Sequence, residues 1–242
     1  MNKMTIQSKS NSHIKDLAAL KNKPAKYFLI EGFHLVEMAY ECGALSEVLA
    51  VKDPNLNVDT ILTTIEVIEK LSTSKHPEPI IGLAKMQEEA KNVGNRALIL
   101  DRVQDPGNLG TILRSALSFG FFDIYFLPGT CSPYNSKAIQ ASQGAIFKLR
   151  LHFLDQEKTL EELSSLGYEV YGTSLHDSLP LETYSFDKAA KICLIMGNEG
   201  QGVSESLLSK TKANLRISMG GIDSLNVGVA TGILLHHIYS LK

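Results

Sequence analysis

An α/β fold in two parts is predicted for this 242-residue chain by three observations. Short apolar runs alternate with amphipathic stretches, and those after residue 96 are nearly continuous, as in parallel strands covered on both faces. A polar stretch, residues 87–95, interrupts the alternation and reads as a linker. Three glycine- or turn-rich segments stand at the ends of apolar runs, where open α/β sheets bind ligands.

In the first part, Tyr27-Phe28-Leu29-Ile30 reads as a strand, residues 33–42 as an amphipathic helix stopped by Gly43, and Val48-Leu49-Ala50-Val51 as a second strand. A helix near 65–71, a loop carrying Pro77 and Pro79, and a strand at 80–84 complete a small α/β unit. In the second part, strands are expected at 97–100, 123–127, 168–172, 192–196 and 214–217. Helices are expected near 108–119, 136–141, 156–165, 204–209 and 226–240. The domain cut falls between residues 1–92 and residues 93–242.

Apolar residues at 44% and charged residues at 21% exclude disordered, collagen-like and disulfide-stapled classes. No apolar run approaches the ~20 residues of a bilayer span and the start lacks a secretory apolar stretch, which places the protein in the cytoplasm. Cys42, Cys131 and Cys193 form no Cys-x-x-Cys pair and are expected to be buried thiols. The seven histidines show no ligand spacing, so no metal site is indicated. A net charge of −2 does not by itself suggest nucleic acid, but residues 1–26 hold six lysines against Asp16 alone. That segment is either a solvated, frayed terminus or a surface that meets phosphate.

The first turn-rich segment is Asp105-Pro106-Gly107-Asn108-Leu109-Gly110-Thr111-Ile112-Leu113-Arg114. Leu109, Ile112, Leu113, Ala116 and Leu117 have the spacing of a buried helix face, and Asp105-Pro106-Gly107 turns the chain before it. Asn108 is a candidate N-cap. Arg114 lies off the apolar stripe, either as a solvated arginine or as a planar fork for phosphate or ribose. In the second segment, Gly197-Asn198-Glu199-Gly200-Gln201-Gly202, an apolar strand runs into three glycines enclosing one carboxylate. The spacing is neither that of a Walker loop nor that of a dinucleotide fingerprint. It makes either a tight turn with a surface acid or a place for close ligand approach. The third segment, Ser224-Leu225-Asn226-Val227, precedes a run that is apolar nearly all round and is expected to form a buried helix, with Ser224 as a candidate cap. Asn226, in the first turn, needs hydrogen-bond partners from a ligand or a neighbouring loop.

Taken in order, these segments resemble the three motifs of the SpoU (TrmH-like) family of RNA ribose 2′-O-methyltransferases, part of the knotted SPOUT superfamily. The match is Asp-Pro-Gly-Asn-Leu-Gly-x-Ile-x-Arg-x-Ala, Gly-Asn-Glu-Gly-x-Gly and Ser-Leu-Asn-Val-x-Val-Ala, and the resemblance spans residues 97–242. Lys137-Ala138 and Ala141-Ser142-x-Gly144-Ala145 are similar to the family's connecting segment. Residues 8–85 resemble, more weakly, the small ribosomal-protein-like α/β domain that precedes the catalytic domain in many members. Where many members have Ile-Pro-Met before the third motif, this chain has Ile217-Ser218-Met219, a change expected to loosen the loop because proline would fix φ.

The resemblance implies a C-terminal α/β domain with a deep trefoil knot, S-adenosylmethionine as methyl donor, and a homodimer. It also implies RNA as partner, ribosomal more than transfer RNA, with the first domain helping to bind it. It implies Gly197, Ile217 and Leu225 at the adenine pocket, and Arg114, Asn108, Glu199, Ser224 and Asn226 around the reacting hydroxyl. Glu199 is expected to hold Arg114 or Asn226 by charge-assisted hydrogen bonding. A guanidinium, with a pKa above ~12, is a poor base. Arg114 is therefore expected to grip the adjacent phosphate and stabilise developing oxyanion charge. The competing readings are a non-catalytic RNA-binding protein of the same fold and an α/β enzyme acting on another nucleotide-like ligand. Retention of the whole polar set argues against the first.

Overall fold

The computed structural model describes residues 3–21, 23–87, 93–187, 189–221 and 224–241. In chain order its elements begin β1 (Lys3–Thr5), α1 (Ser12–Leu20), β2 (Tyr27–Glu31), α2 (Phe33–Glu41), β3 (Leu45–Ala50), β4 (Asp59–Leu62), α3 (Ile65–Leu71) and β5 (Ile80–Lys85). They continue β6 (Arg96–Leu100), α4 (Pro106–Ser118), β7 (Asp123–Phe126), α5 (Ser136–Ser142), β8 (Arg150–Phe153), α6 (Gln156–Ser165) and β9 (Tyr168–Thr173). The last are β10 (Leu179–Pro180), β11 (Lys191–Met196), α7 (Glu205–Leu208), β12 (Ala213–Arg216) and α8 (Val227–Ser240). Two compact units result: Met1–Glu88 with Ser132–Lys148, and Glu89–Cys131 with Leu149–Lys242.

The first unit is built on a mixed five-stranded sheet in the order β1-β4-β3-β5-β2. β4 runs parallel to β1 and β3, whereas β5 is antiparallel to β3 and β2. The lysine-rich start is folded rather than frayed. Asn11 caps α1 by accepting from the His13 N–H at 2.9 Å, and Ile14 and Leu17 enter the core with Leu49, Ile61, Ile68 and Leu71. Burying each such side chain contributes ~1.5–3 kcal/mol, enough to dock a nine-residue helix whose other face stays wet. The connecting segment joins this unit too. The Tyr134 ring lies 4.9 Å from that of Phe28, and Gln140 Nε2 donates to the Glu31 carbonyl at 3.1 Å.

The second unit is a seven-stranded sheet, parallel throughout, in the order β10-β12-β9-β11-β6-β7-β8. Its continuous apolar strands are buried as expected, with Ala97, Ile99, Tyr125, Cys193 and Ile195 in one cluster. Of the segment read as a linker, residues 88–92 lie outside the described residues, and 93–95 pack onto this unit. Gly94 N–H donates to Asp123 Oδ2 at 2.8 Å, and the Ile192 N–H donates to the Asn95 carbonyl at 2.9 Å.

Five elements were not anticipated: β1, α1, β4, β8 and β10. β3 also begins three residues earlier than the predicted strand, at Leu45. The thiols differ from one another, Cys193 being buried, Cys131 half-buried and Cys42 exposed, so the expectation of three buried cysteines holds only for the first. Among the described residues no helix is long and apolar enough to cross a membrane, and no group of three His, Cys, Asp or Glu stands ready for a metal.

β8 is held by charge. The wholly buried Asp123 carboxylate receives a fork from Arg150, Nε and Nη2 both at 2.7 Å, and a contact from His152 Nε2 at 3.1 Å. Burial alone would raise the Asp123 pKa, but the Arg150 and His152 bonds and the Gly94 N–H outweigh it and bring the pKa down to about 2. Because the folded pKa lies below the unfolded one, the stabilisation, about 2 kcal/mol, is present above about pH 4 and is lost as pH falls toward 2. Urea titrations at stepped pH should show a flatter acid decline in Asp123→Asn than in the wild type. Equal slopes would assign the decline to other carboxylates.

Candidate active site

β6 sits at the reversal of strand order: the chain runs outward from β6 through β7 to β8, then crosses over to build β9, β11 and the remaining strands on the other side of β6. Ligands of open α/β sheets sit outside the carboxyl ends of strands at such a point. Leu100 and Met196 end their strands side by side, and the Asp101 N–H donates to the Met196 carbonyl at 2.9 Å. From these ends the chain enters residues 101–105 and 197–204.

The first segment forms α4, but its cap is Asp105, not Asn108. Asp105 Oδ1 accepts from the Asn108 N–H at 2.8 Å, and Pro106 follows at a helix position that needs no N–H donor. A carboxylate one turn earlier thus leaves the Asn108 amide free for other work. The amide spends both of its ends on the other two segments. Its Nδ2 donates to Glu199 Oε1 at 3.1 Å, and its Oδ1 accepts from Asn226 Nδ2 at 2.8 Å.

Glu199 also accepts from the Asp105 N–H at 3.0 Å and the Gln104 N–H at 3.2 Å. Partial burial works against its charge, yet the Asp105, Asn108 and Gln104 donors hold its carboxyl below the usual carboxylate range. Its partners are therefore not those expected: it touches neither Arg114 nor Asn226 directly, and reaches Asn226 only through Asn108. Arg114 is exposed on α4, with no side-chain hydrogen bond or ion pair to another described residue.

The cap of α8 is Asn226, whose Oδ1 accepts from the Gly228 N–H at 2.9 Å and the Val229 N–H at 3.3 Å. Ser224, the expected cap, is exposed two residues earlier and has no hydrogen-bond partner among the described residues. It lies outside the helix because the chain does not adopt helical geometry until Val227. Nor is α8 buried all round. Leu234, Leu235 and Ile238 are buried, whereas Val229 and Ile233 are 51% and 40% exposed. α8 packs on α4 through small residues, a Cβ at Gly228 standing 3.1 Å from Thr111 Cγ2.

The turn at 197–202 is closed by reciprocal bonds, Asn198 N–H to Gly202 O at 3.1 Å and Gly202 N–H to Asn198 O at 2.9 Å. Asn198, quoted in the motif but given no role, organises it. Its Oδ1 accepts from the N–H groups of Gly200 and Gln201 at 3.0 Å, and its Nδ2 donates to the Arg102 carbonyl at 2.9 Å. An Asn two residues before a glycine is the sequence signal for such an Asx turn.

Gly197 is buried at the foot of this turn, and Ile217 and Leu225 are half-buried beyond β12 and before α8. Gly202, Gly220 and Gly221 have open space where a side chain would stand, so a flat ligand can approach their backbone. Ser218 does not loosen its loop. Its N–H and hydroxyl both donate to the Glu182 carboxylate, at 3.2 and 2.9 Å, a tie that a proline there has no hydrogens to make. Burial, with the nearby charges of Glu199 and Asp105, pushes the Cys131 thiol up to about 11.

The SpoU rRNA Methylase family profile matches residues 95–236. A Bacillus subtilis (strain 168) protein, 23S rRNA (guanosine(2553)-2′-O)-methyltransferase RlmP, is 32% identical, the match covering 96% of this chain and 98% of that one. The AdoMet-bound rRNA methyltransferase from Sinorhizobium meliloti superposes with a TM-score of 0.89 at 27% identity, covering 99% and 98% of the two chains. The profile match over more than half of the residues and the full-length likeness agree with the linked motifs: the chain belongs to the SpoU rRNA Methylase family.

Proposed function

We propose that this protein transfers a methyl group from S-adenosylmethionine to a ribose 2′-hydroxyl of RNA, with ribosomal RNA as the substrate class. The observation that carries the reading is the hydrogen-bonded series Glu199, Asn108, Asn226, which ties all three motifs together at the carboxyl edge of the sheet. The rRNA activity of the Bacillus subtilis relative and the AdoMet bound by the Sinorhizobium meliloti protein support substrate and donor.

The donor supplies a sulfonium-activated methyl group, and transfer to oxygen leaves a neutral thioether. What the chain supplies is alignment and a route for the hydroxyl proton. Gly197, Ile217 and Leu225 wall the adenine. Asn108 and Asn226 orient the ribose, and Ser224 is an accessible hydroxyl beside them. Arg114, exposed and without a protein partner, is available to fork onto the RNA phosphate and to stabilise oxyanion charge as the proton departs to phosphate or water. Arg114→Lys should lower kcat about a hundredfold, since an ammonium cannot reproduce the fork. Near-normal turnover would make the fork unnecessary.

Residues 1–92 serve RNA binding and residues 93–242 catalysis in this reading. Val229 and Ile233, exposed on the largely apolar helix α8, support a homodimer formed through that helix. A cytoplasmic location follows from an RNA substrate.

Mapping 2′-O-methylated nucleotides in total RNA from cells with and without the protein tests the function. Loss of one ribosomal position is expected. Loss confined to transfer RNA would move the substrate class, and no change together with no calorimetric binding of S-adenosylmethionine would favour a non-catalytic RNA-binding role.

A further inference from the structure

We propose that Arg102 is a positioning residue, a latch that holds the turn at 197–202 and so fixes where Glu199 stands. Arg102 has a φ of 57°, in the left-handed region that side chains other than glycine seldom adopt. The conformation is held from several sides. Its N–H donates to Thr130 Oγ1 at 3.0 Å, that hydroxyl donates to the Leu100 carbonyl at 2.9 Å, and the arginine stem lies over Gly129, Cγ being 3.1 Å from where a Cβ would stand.

This backbone presents two groups of one residue to the same turn. The Arg102 carbonyl accepts from Asn198 Nδ2, while Nη1 donates to Gln201 Oε1 at 2.8 Å and Nη2 lies 3.4 Å from the Gly202 carbonyl. The remaining donors fork onto Asp101, Nε at 2.9 Å and Nη2 at 3.1 Å. Asp101 is itself buried and accepts from the Ser204 N–H at 2.8 Å. Residues 198, 201, 202 and 204 are thus all tied to Asp101 and Arg102, whereas Glu199 points the other way, to Gln104, Asp105 and Asn108. The guanidinium does not touch the reacting groups in this arrangement. It acts through the turn, and a lysine, with one point charge, cannot span Asp101 and Gln201 together.

The functional consequence rests on the methyl-transfer reading, but the latch itself does not, and the experiment separates them. Full-length wild type, Arg102→Lys and Arg102→Gly are compared by amide hydrogen exchange, thermal melting, calorimetric titration with S-adenosylmethionine, and kcat and KM on ribosomal RNA. Exchange of residues 198–204 should accelerate about tenfold in both variants while the rest of the second unit keeps its protection. The melting temperature of Arg102→Gly should fall by only about 5 °C, because Asp101 loses its fork but keeps the Ser204 N–H, and glycine adopts the left-handed backbone freely. kcat should fall about tenfold with KM for RNA unchanged. Unchanged exchange at 198–204 would overturn the proposal, and so would faster exchange across the whole unit with a matching loss of melting temperature. If local exchange responds as expected but the wild type neither binds the donor nor methylates RNA, the latch stands and the assigned reaction fails.

Discussion

Replacing Gly197 with alanine is expected to lower the melting temperature by about 6 °C and to abolish methyl transfer. A Cβ there would stand 2.2 Å from Gly202 C and Val203 N and 2.5 Å from Gly202 O. All three are main-chain atoms, so no rotamer change makes room. The Asn198–Gly202 pair and the Ser204 N–H bond to Asp101 hold them in place, and relief requires breaking one of these. Overpacking of this kind plus a lost buried hydrogen bond costs about 3 kcal/mol, which converts to about 6 °C for a protein of this size. The control is Gly200→Ala, where the nearest atom is Asn198 Oδ1 at 3.7 Å and ordinary contact results. Calorimetric melting of both variants decides. If Gly197→Ala melts within about 2 °C of Gly200→Ala, the close crossing at this turn is not a constraint on the fold.

The second large effect is expected for Glu199→Gln, through chemistry rather than stability. The carboxylate accepts from three donors, two at Oε1 and one at Oε2. An amide keeps the shape but replaces one acceptor with NH2, which must face either the Gln104 N–H or the Asp105 N–H and Asn108 together. A donor set against a donor costs ~1–3 kcal/mol in either orientation, and the loss of the full negative charge weakens the hold on Asn108 between the other two motifs. Single-turnover methyl transfer should slow between about tenfold and a hundredfold. The dissociation constant for S-adenosylmethionine should change less than about threefold, since Glu199 is not among the residues assigned to the adenine pocket. An unchanged rate would remove Glu199 from the machinery.

How much of this was legible beforehand depended on whether a residue's partners lay nearby in the chain. The parallel strands β6, β7 and β11 were readable because each is an almost unbroken apolar run, and the face of α4 because its spacing repeats locally. β8 was not. Its four residues, Arg-Leu-His-Phe, look polar until Asp123, 27 residues away from Arg150, is seen to absorb both basic groups. α1 was hidden by the lysine-rich stretch in which it lies, although Ile14 and Leu17 already had the right spacing. β10, two residues long, carries no periodicity at all. At the site, the residue types were visible but the division of work was not. Asn108 and Ser224 were natural caps by composition, and only the fold reveals that Asp105 and Asn226 take those places. Likewise the serine at 218 looked like a lost restraint, because Glu182, which restrains it, is 36 residues earlier in the chain.

The series Glu199, Asn108, Asn226 is vectorial. A carboxylate brings no hydrogen of its own, so Asn108 must turn its NH2 toward Glu199 and its oxygen toward Asn226. Asn226 must then present NH2 to Asn108 and oxygen to the N–H groups of α8. Neither amide is free to flip, because an anion commands one terminus and bare helix N–H groups command the other. The arrangement works as a one-way conductor of orientation: neutralising Glu199 releases the command at its source, and the first turn of α8 loses the reason for its amide to stand as it does.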